Sequence, residues 1–151
     1  GTEEAPLAFW SLWFEAEGKQ AVFVNTAVSH AEDGYRGLPF RLRSDELTTL
    51  ELRSPPVTAE TGSRFTAKAQ FRKLRFEEGF LEVVIVKELA DGSTQRLVAS
   101  GIDATDSMDR WLPRSATTEQ PLAEQTRIRY VLRGRFRGDV LVRKRQFFRR
   151  E

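Results

Sequence analysis

Arg64 to Ile102 reads RFTAKAQFRKLRFEEGFLEVVIVKELADGSTQRLVASGI, and its alternation with a period of two decides the fold class of the chain. Phe65, Ala67, Ala69 and Phe71 share one face of an extended strand; the phase then slips by one so that Leu74 and Phe76 continue it. A slip of one residue is what a β-bulge produces, and it is expected near Arg72-Lys73. Glu77-Glu78-Gly79 reads as a turn into a second strand, Phe80 to Leu89. Asp91-Gly92 supplies the positive-φ positions of a tight hairpin into a third, Thr94 to Ile102. The expectation is three consecutive antiparallel strands in a meander.

Upstream of this stretch, Gln20 to Ser29 (QAVFVNTAVS) is apolar on both faces and reads as an inner strand. His30 to Asp45 carries Asp33-Gly34, Gly37 and Pro39 and reads as a loop with an extended piece at Phe40 to Arg43; Leu47 to Arg53 alternates again. Pro55-Pro56 lacks N–H donors and breaks the sheet. Pro6 to Glu15 (PLAFWSLWFE) is apolar all round, which suits a buried strand or one short helix, and its Trp and Phe content favours the strand. Downstream, Asp103 to Glu124 reads as a long irregular segment anchored by Trp111 and Leu112. Thr126 to Arg137 and Val140 to Phe148 read as a hairpin around Gly138-Asp139. The sum is an all-β chain, an antiparallel β-sandwich or partly open barrel of about seven or eight strands, forming a single domain over residues 1–151.

A chain of 151 residues with 40% apolar content can bury a core without staples. It has no cysteine, so disulfides, thiolate metal sites and a Cys nucleophile are excluded. No run of apolar residues is long enough for a spanning helix. The chain opens on Gly1-Thr2 rather than Met, and a trimmed or processed start is expected.

The net charge of +2 hides an asymmetry: residues 126–151 carry ten Lys or Arg against Asp139 and Glu151. Arg127, Arg129, Arg133 and Arg135 fall on one strand face, opposite Ile128, Tyr130, Leu132 and Phe136. A two-residue turn would set Val140, Val142, Lys144 and Phe148 beside these arginines. A three-residue turn would set Leu141, Arg143, Arg145 and Phe147 there and build a patch of six arginines. The functional reading of the stripe is an anion-binding or docking surface; the plainer one is an outward face whose arginines pair with carboxylates on a neighbouring strand.

Catalytic signatures are missing. His30 is the sole histidine, no Ser lies in a Gly-x-Ser-x-Gly elbow, and no Gly-rich loop cradles phosphate. Asp103, Asp106 and Asp109 resemble a calcium loop only superficially, lacking its Gly and distal Glu, and read better as turn caps. Arg137-Gly138-Asp139 spells an adhesion tripeptide that a chain this rich in Arg produces by chance. Trp10, Trp13 and Trp111 read as core rather than as a platform for sugars.

The expectation for function is therefore a non-enzymatic binding or assembly module with neither cofactor nor metal. It would be an extracytoplasmic, periplasmic part of a bacterial envelope protein that docks a protein partner through Arg127, Arg129, Arg133, Arg135, Arg143 and Arg145. The second reading is a polyanion-binding domain for nucleic acid or acidic polysaccharide, and the third a small-ligand carrier with a barrel cavity.

Overall fold

A computed structural model describes residues 4–6, 13–16, 22–23, 40–54 and 56–150. Among the described residues nine strands, all paired antiparallel, run in the order β1 (Glu4–Pro6), β2 (Trp13–Ala16), β3 (Val22–Phe23), β4 (Phe40–Arg53), β5 (Val57–Ala59), β6 (Arg64–Glu88), β7 (Thr94–Asp103), β8 (Trp111–Thr117) and β9 (Thr126–Arg150). No helix occurs among the described residues.

The frame is the ribbon of β6 and β9, each 25 residues long, paired from Arg64 opposite Arg150 to Lys87 opposite Ile128. A straight strand of that length would span about 80 Å. The ribbon instead folds across itself. The rings of Tyr130 and Phe147, 17 positions apart on β9, lie 5.9 Å centroid to centroid. Against an unbroken run of β9, its two neighbours slip register at the same level, β6 between Lys73 and Arg75 and again between Phe76 and Glu78, β4 between Ser44 and Thr48. Bulges and bends of this kind let one strand pass from one layer of a sandwich into the other.

One layer holds β8, the first half of β6, the end of β9 and the start of β4, with β1 and β3 beside them. The other holds β7, the second half of β6, the start of β9 and the end of β4, with β2 and β5. Phe65, Ala67, Ala69 and Phe71 of the first layer share a buried core with Leu81, Val83, Ile85, Ile128, Tyr130 and Leu132 of the second. Each large side chain so buried contributes about 2–3 kcal/mol of transfer free energy. The Tyr130 hydroxyl donates across the sandwich to the carbonyl of Lys68 at 3.0 Å, tying the layers by a polar contact as well.

Phe65, Ala67, Ala69 and Phe71 share the buried face as read, and the Asp91-Gly92 hairpin is in place with Gly92 at φ +85°. The phase slip does not carry Leu74 inward: Lys73 continues the buried side, and Leu74 is the exposed extra residue between the pairs Lys73–Val140 and Arg75–Asp139. Three other expectations are corrected. Glu77-Glu78-Gly79 is no turn but the corner of β6, where Gly79 takes φ +99° and lies so close to β9 that a Cβ would sit 1.9 Å from the Arg135 carbonyl oxygen. Gly138-Asp139 is likewise the interior of β9, because Phe76 and Ser44 flank Gly138 and give both sides of its backbone a sheet partner; no terminal hairpin exists. Within Asp103 to Glu124, residues 111–117 form strand β8, an edge strand of the described sheet that accommodates Pro113. Of the N-terminal expectations, Trp13–Ala16 and Val22–Phe23 are strands, and residues 7–12 and 24–39 lie outside the described residues.

Candidate functional site

The bend divides the arginine stripe. Arg127, Arg129, Arg133 and Arg135 lie in the second layer, facing away from the core, and β6 answers them with carboxylates. Arg129 donates to Glu88 at 2.8 Å and to the carbonyl of Ser54 at 2.9 Å. Arg127 lies 3.6 Å from the same Glu88, and Arg133 donates to Glu82 at 3.0 Å. Arg135 donates to the Thr49 hydroxyl at 3.1 Å. This is the cross-strand pairing that relieves aligned like charges.

Arg143 and Arg145 lie beyond the bend in the first layer, so the six arginines form no single patch. Arg145 points inward, 4% exposed, close enough to Tyr130 to oppose the burial that pushes that phenol well above its ordinary 10. Arg143 points outward. Its Nε donates to Gln70 at 2.8 Å, and its guanidinium lies 3.8 Å over the Trp111 ring.

Around Arg143 the solvent face of the first layer forms a groove of about 310 Å³, lined by Lys68, Ala69, Gln70, Pro113, Arg114, Ser115, Lys144 and Gln146. Its floor follows from the alternation in β6. Ala67, Ala69 and Phe71 go to the core, which sends Lys68 and Gln70 outward. They face Ser115 and Pro113 of β8 on one side and Gln146 and Arg143 of β9 on the other. A second device adds Lys144. Between the pairs Lys68–Gln146 and Gln70–Arg143, β9 holds one residue more than β6, and Lys144 takes up the excess at φ +53°. A bulge re-aims side chains, and here it brings Arg143, Lys144 and Gln146 onto the same exposed face.

The chemistry of the lining is one-sided: three cations, two carboxamides and a hydroxyl, with no carboxylate. Arg114 is fixed in the wall, donating to the carbonyl of Gly101 at 2.8 Å and to Asp106 at 2.7 Å. Lys68 lies 5.3 Å from the centroid of Phe148. Among the described residues neither Arg143 nor Lys144 has a carboxylate partner.

Elsewhere the sequence motifs resolve into structure. Asp139 of the Arg-Gly-Asp tripeptide is 8% exposed, held by Arg41, and sits mid-strand where no receptor could reach the triplet as a loop tip. Asp103 accepts from the amide and hydroxyl of Thr105 at 2.8 and 2.6 Å, which holds its carboxyl below the usual carboxylate range. Asp106 accepts from the Asp103 amide, and Asp109 pairs with Arg72 at 2.8 Å. These are turn caps, and among the described residues no group of three or more His, Asp or Glu is gathered to hold a metal.

None of the lining residues was among the six arginines singled out from sequence; Arg143, bonded to Gln70 of the lining, was. Lys68 and Gln70 could have been found from the polar side of the alternation in Arg64 to Phe76. Lys144 could not, because its outward aim depends on the bulge.

No family model matches this sequence, and no curated protein matches it. Solved structures do match in fold, and those compared are carbohydrate-binding modules. A module of the β-sandwich superfamily described for promiscuous specificity superposes with a TM-score of 0.56 at 16% identity, over 93% of this chain. The chain spans 57% of that structure's length. A family 4 module gives a TM-score of 0.57 at 8% identity, over 93% of this chain and 86% of its own. A family 61 module solved with β-1,4-galactotriose gives 0.53 at 15% identity, over 93% and 90%. The fold is the antiparallel β-sandwich that these modules share.

Proposed function

We propose that the domain is a non-enzymatic carbohydrate-binding module that holds a polysaccharide chain in the groove between β8, β6 and β9. The observation that carries the reading is the groove itself. On a sandwich of this fold, an exposed trough places carboxamides (Gln70, Gln146), a hydroxyl (Ser115) and cationic donors (Lys68, Lys144) where they can hydrogen-bond sugar hydroxyls and ring substituents. The polar lining supports a binding role; no nucleophile–base pair lies among its residues.

The carrier reading finds no comparable support, since the groove lies outside the layers and the space between them is filled by Phe65, Phe71, Phe136 and Tyr130. The arginines of β9 nearest its start pair with Glu82 and Glu88, which favours the groove over them as the binding surface. An extracytoplasmic setting in a bacterial envelope remains part of the proposal, tested by fractionating the source cells. Affinity electrophoresis through gels containing a panel of neutral and acidic polysaccharides tests the function. Retardation by at least one member is expected, reversed by its soluble oligosaccharide; free migration in every gel would overturn the reading.

A further inference from the structure

Resting on that reading, we infer that the groove selects an anionic polysaccharide, one bearing carboxylate or sulfate groups, through Lys144 and Arg143. Three observations converge on this. The lining holds Lys68, Arg114 and Lys144 and no carboxylate, and of these Arg114 pairs with Asp106, which lies outside the lining. Arg127, Arg129, Arg133, Arg137, Arg72, Arg75 and Arg114 each have an Asp or Glu within 4 Å, whereas Arg143 is held by a neutral amide and an indole. Its guanidinium is positioned without being neutralised.

The second observation is Lys144. A non-Gly residue at positive φ is a conformational cost that the surrounding structure sustains, and here it projects a flexible, exposed ammonium beside the groove. Straight pairing of β9 would have sent the residue after Arg143 toward the core. The third is the state of Trp111. Sugar rings without charge are commonly held by stacking on an open aromatic face, but Arg143 covers a face of this indole at 3.8 Å. Recognition in this groove falls to hydrogen bonds and charge. The same covered ring argues against a single-stranded nucleic acid, whose bases need an open aromatic platform.

The test compares polygalacturonate with its fully methyl-esterified form, which keeps the backbone and removes the charge, by isothermal titration of the whole domain at low and high salt. The acid form is expected to bind about tenfold tighter than the ester at low salt and to lose most of that advantage as salt screens it. Lys144→Gln and Arg143→Gln are each expected to weaken binding of the acid form by about three- to tenfold while leaving the ester unchanged. Arg137→Gln, exposed and paired with Glu77 at the corner of the sandwich, serves as the unaffected control. Circular dichroism confirms that each variant is folded. Dextran sulfate separates the two anion sources: Lys144-dependent binding there assigns sulfate as well as carboxylate, and its absence restricts the site to carboxylates. Equal binding of acid and ester would overturn the anionic inference while leaving carbohydrate binding standing. Failure with every polysaccharide in the panel would instead remove the reading beneath it, and equally tight binding of single-stranded DNA would replace sugar by nucleic acid.

Discussion

Replacing Gly79 by Ala tests the corner on which both layers depend. Gly79 sits opposite Phe136 at φ +99°, and an added Cβ would lie 1.9 Å from the Arg135 carbonyl oxygen and 2.6 Å from the Phe136 Cα. Ordinary contact begins at 3.4 Å, so β6 and β9 would have to part by about 1.5 Å at the point where they are bent most sharply. The positive φ costs an alanine about 1–2 kcal/mol. Overpacking against backbone, which cannot rotate away, adds about 1–3 kcal/mol. A loss of about 2–5 kcal/mol is therefore expected, a large share of the roughly 5–15 kcal/mol typical of a domain. Urea unfolding followed by tryptophan fluorescence measures it. Gly92→Ala is the matched control, because Gly92 has φ +85° with nothing within 4 Å of its Cβ position and should lose only the dihedral part, about 1–2 kcal/mol. Equal losses in the two variants would refute the close crossing of β6 and β9.

Tyr130→Phe removes the hydroxyl that bridges the layers to the Lys68 carbonyl and is expected to cost about 1 kcal/mol in the same unfolding assay; no loss would mean that the bridge contributes nothing. A double-mutant cycle on Arg133 and Glu82, half-buried partners at 3.0 Å, should return a coupling of about 0.5–1 kcal/mol, and a coupling of zero would return the arginine to the solvent as a free docking group. The Asp103 carboxyl is held below its usual 3.8 first by the Thr105 hydroxyl, so the stability it lends is complete above that value and is lost as pH falls through the depressed one. Thr105→Ala should move the Asp103 titration, followed by NMR, up toward 3.8; an unmoved titration would show that the hydroxyl bond is not its cause.

Strand content was readable because period-2 alternation reports which side of a strand meets the core; Phe65, Ala67, Ala69 and Phe71 follow it, whereas Val83 to Val86 are buried on both faces of β6. What the residues did not reveal was continuity. Glu77-Glu78-Gly79 and Arg137-Gly138-Asp139 have the composition of turns, yet each sits in mid-strand, because a glycine serves a sheet corner by admitting close backbone approach just as it serves a turn by admitting positive φ. Local composition is the same in both cases, and only the partner strand decides. The arginine stripe was legible as a face but not as a site, since the glutamates that answer it, Glu82 and Glu88, stand about 40 or more positions away in the chain. The groove was legible only in part. Lys68 and Gln70 follow from alternation, whereas Lys144 is displayed by a bulge whose existence depends on the count of residues between two pairs of the β6–β9 ladder.

Where the ligand sits, and of what kind it is, can be read residue by residue. The most direct measurement is a backbone-amide NMR titration of the intact domain with trigalacturonate at low salt. The largest shift changes are expected to cluster at Lys68, Gln70, Ser115, Arg143, Lys144 and Gln146, and the Trp111 indole N–H is expected to move with them. Changes centred instead on Arg127 to Arg135 or on β7, or no change at ligand concentrations in the millimolar range, would contradict that expectation.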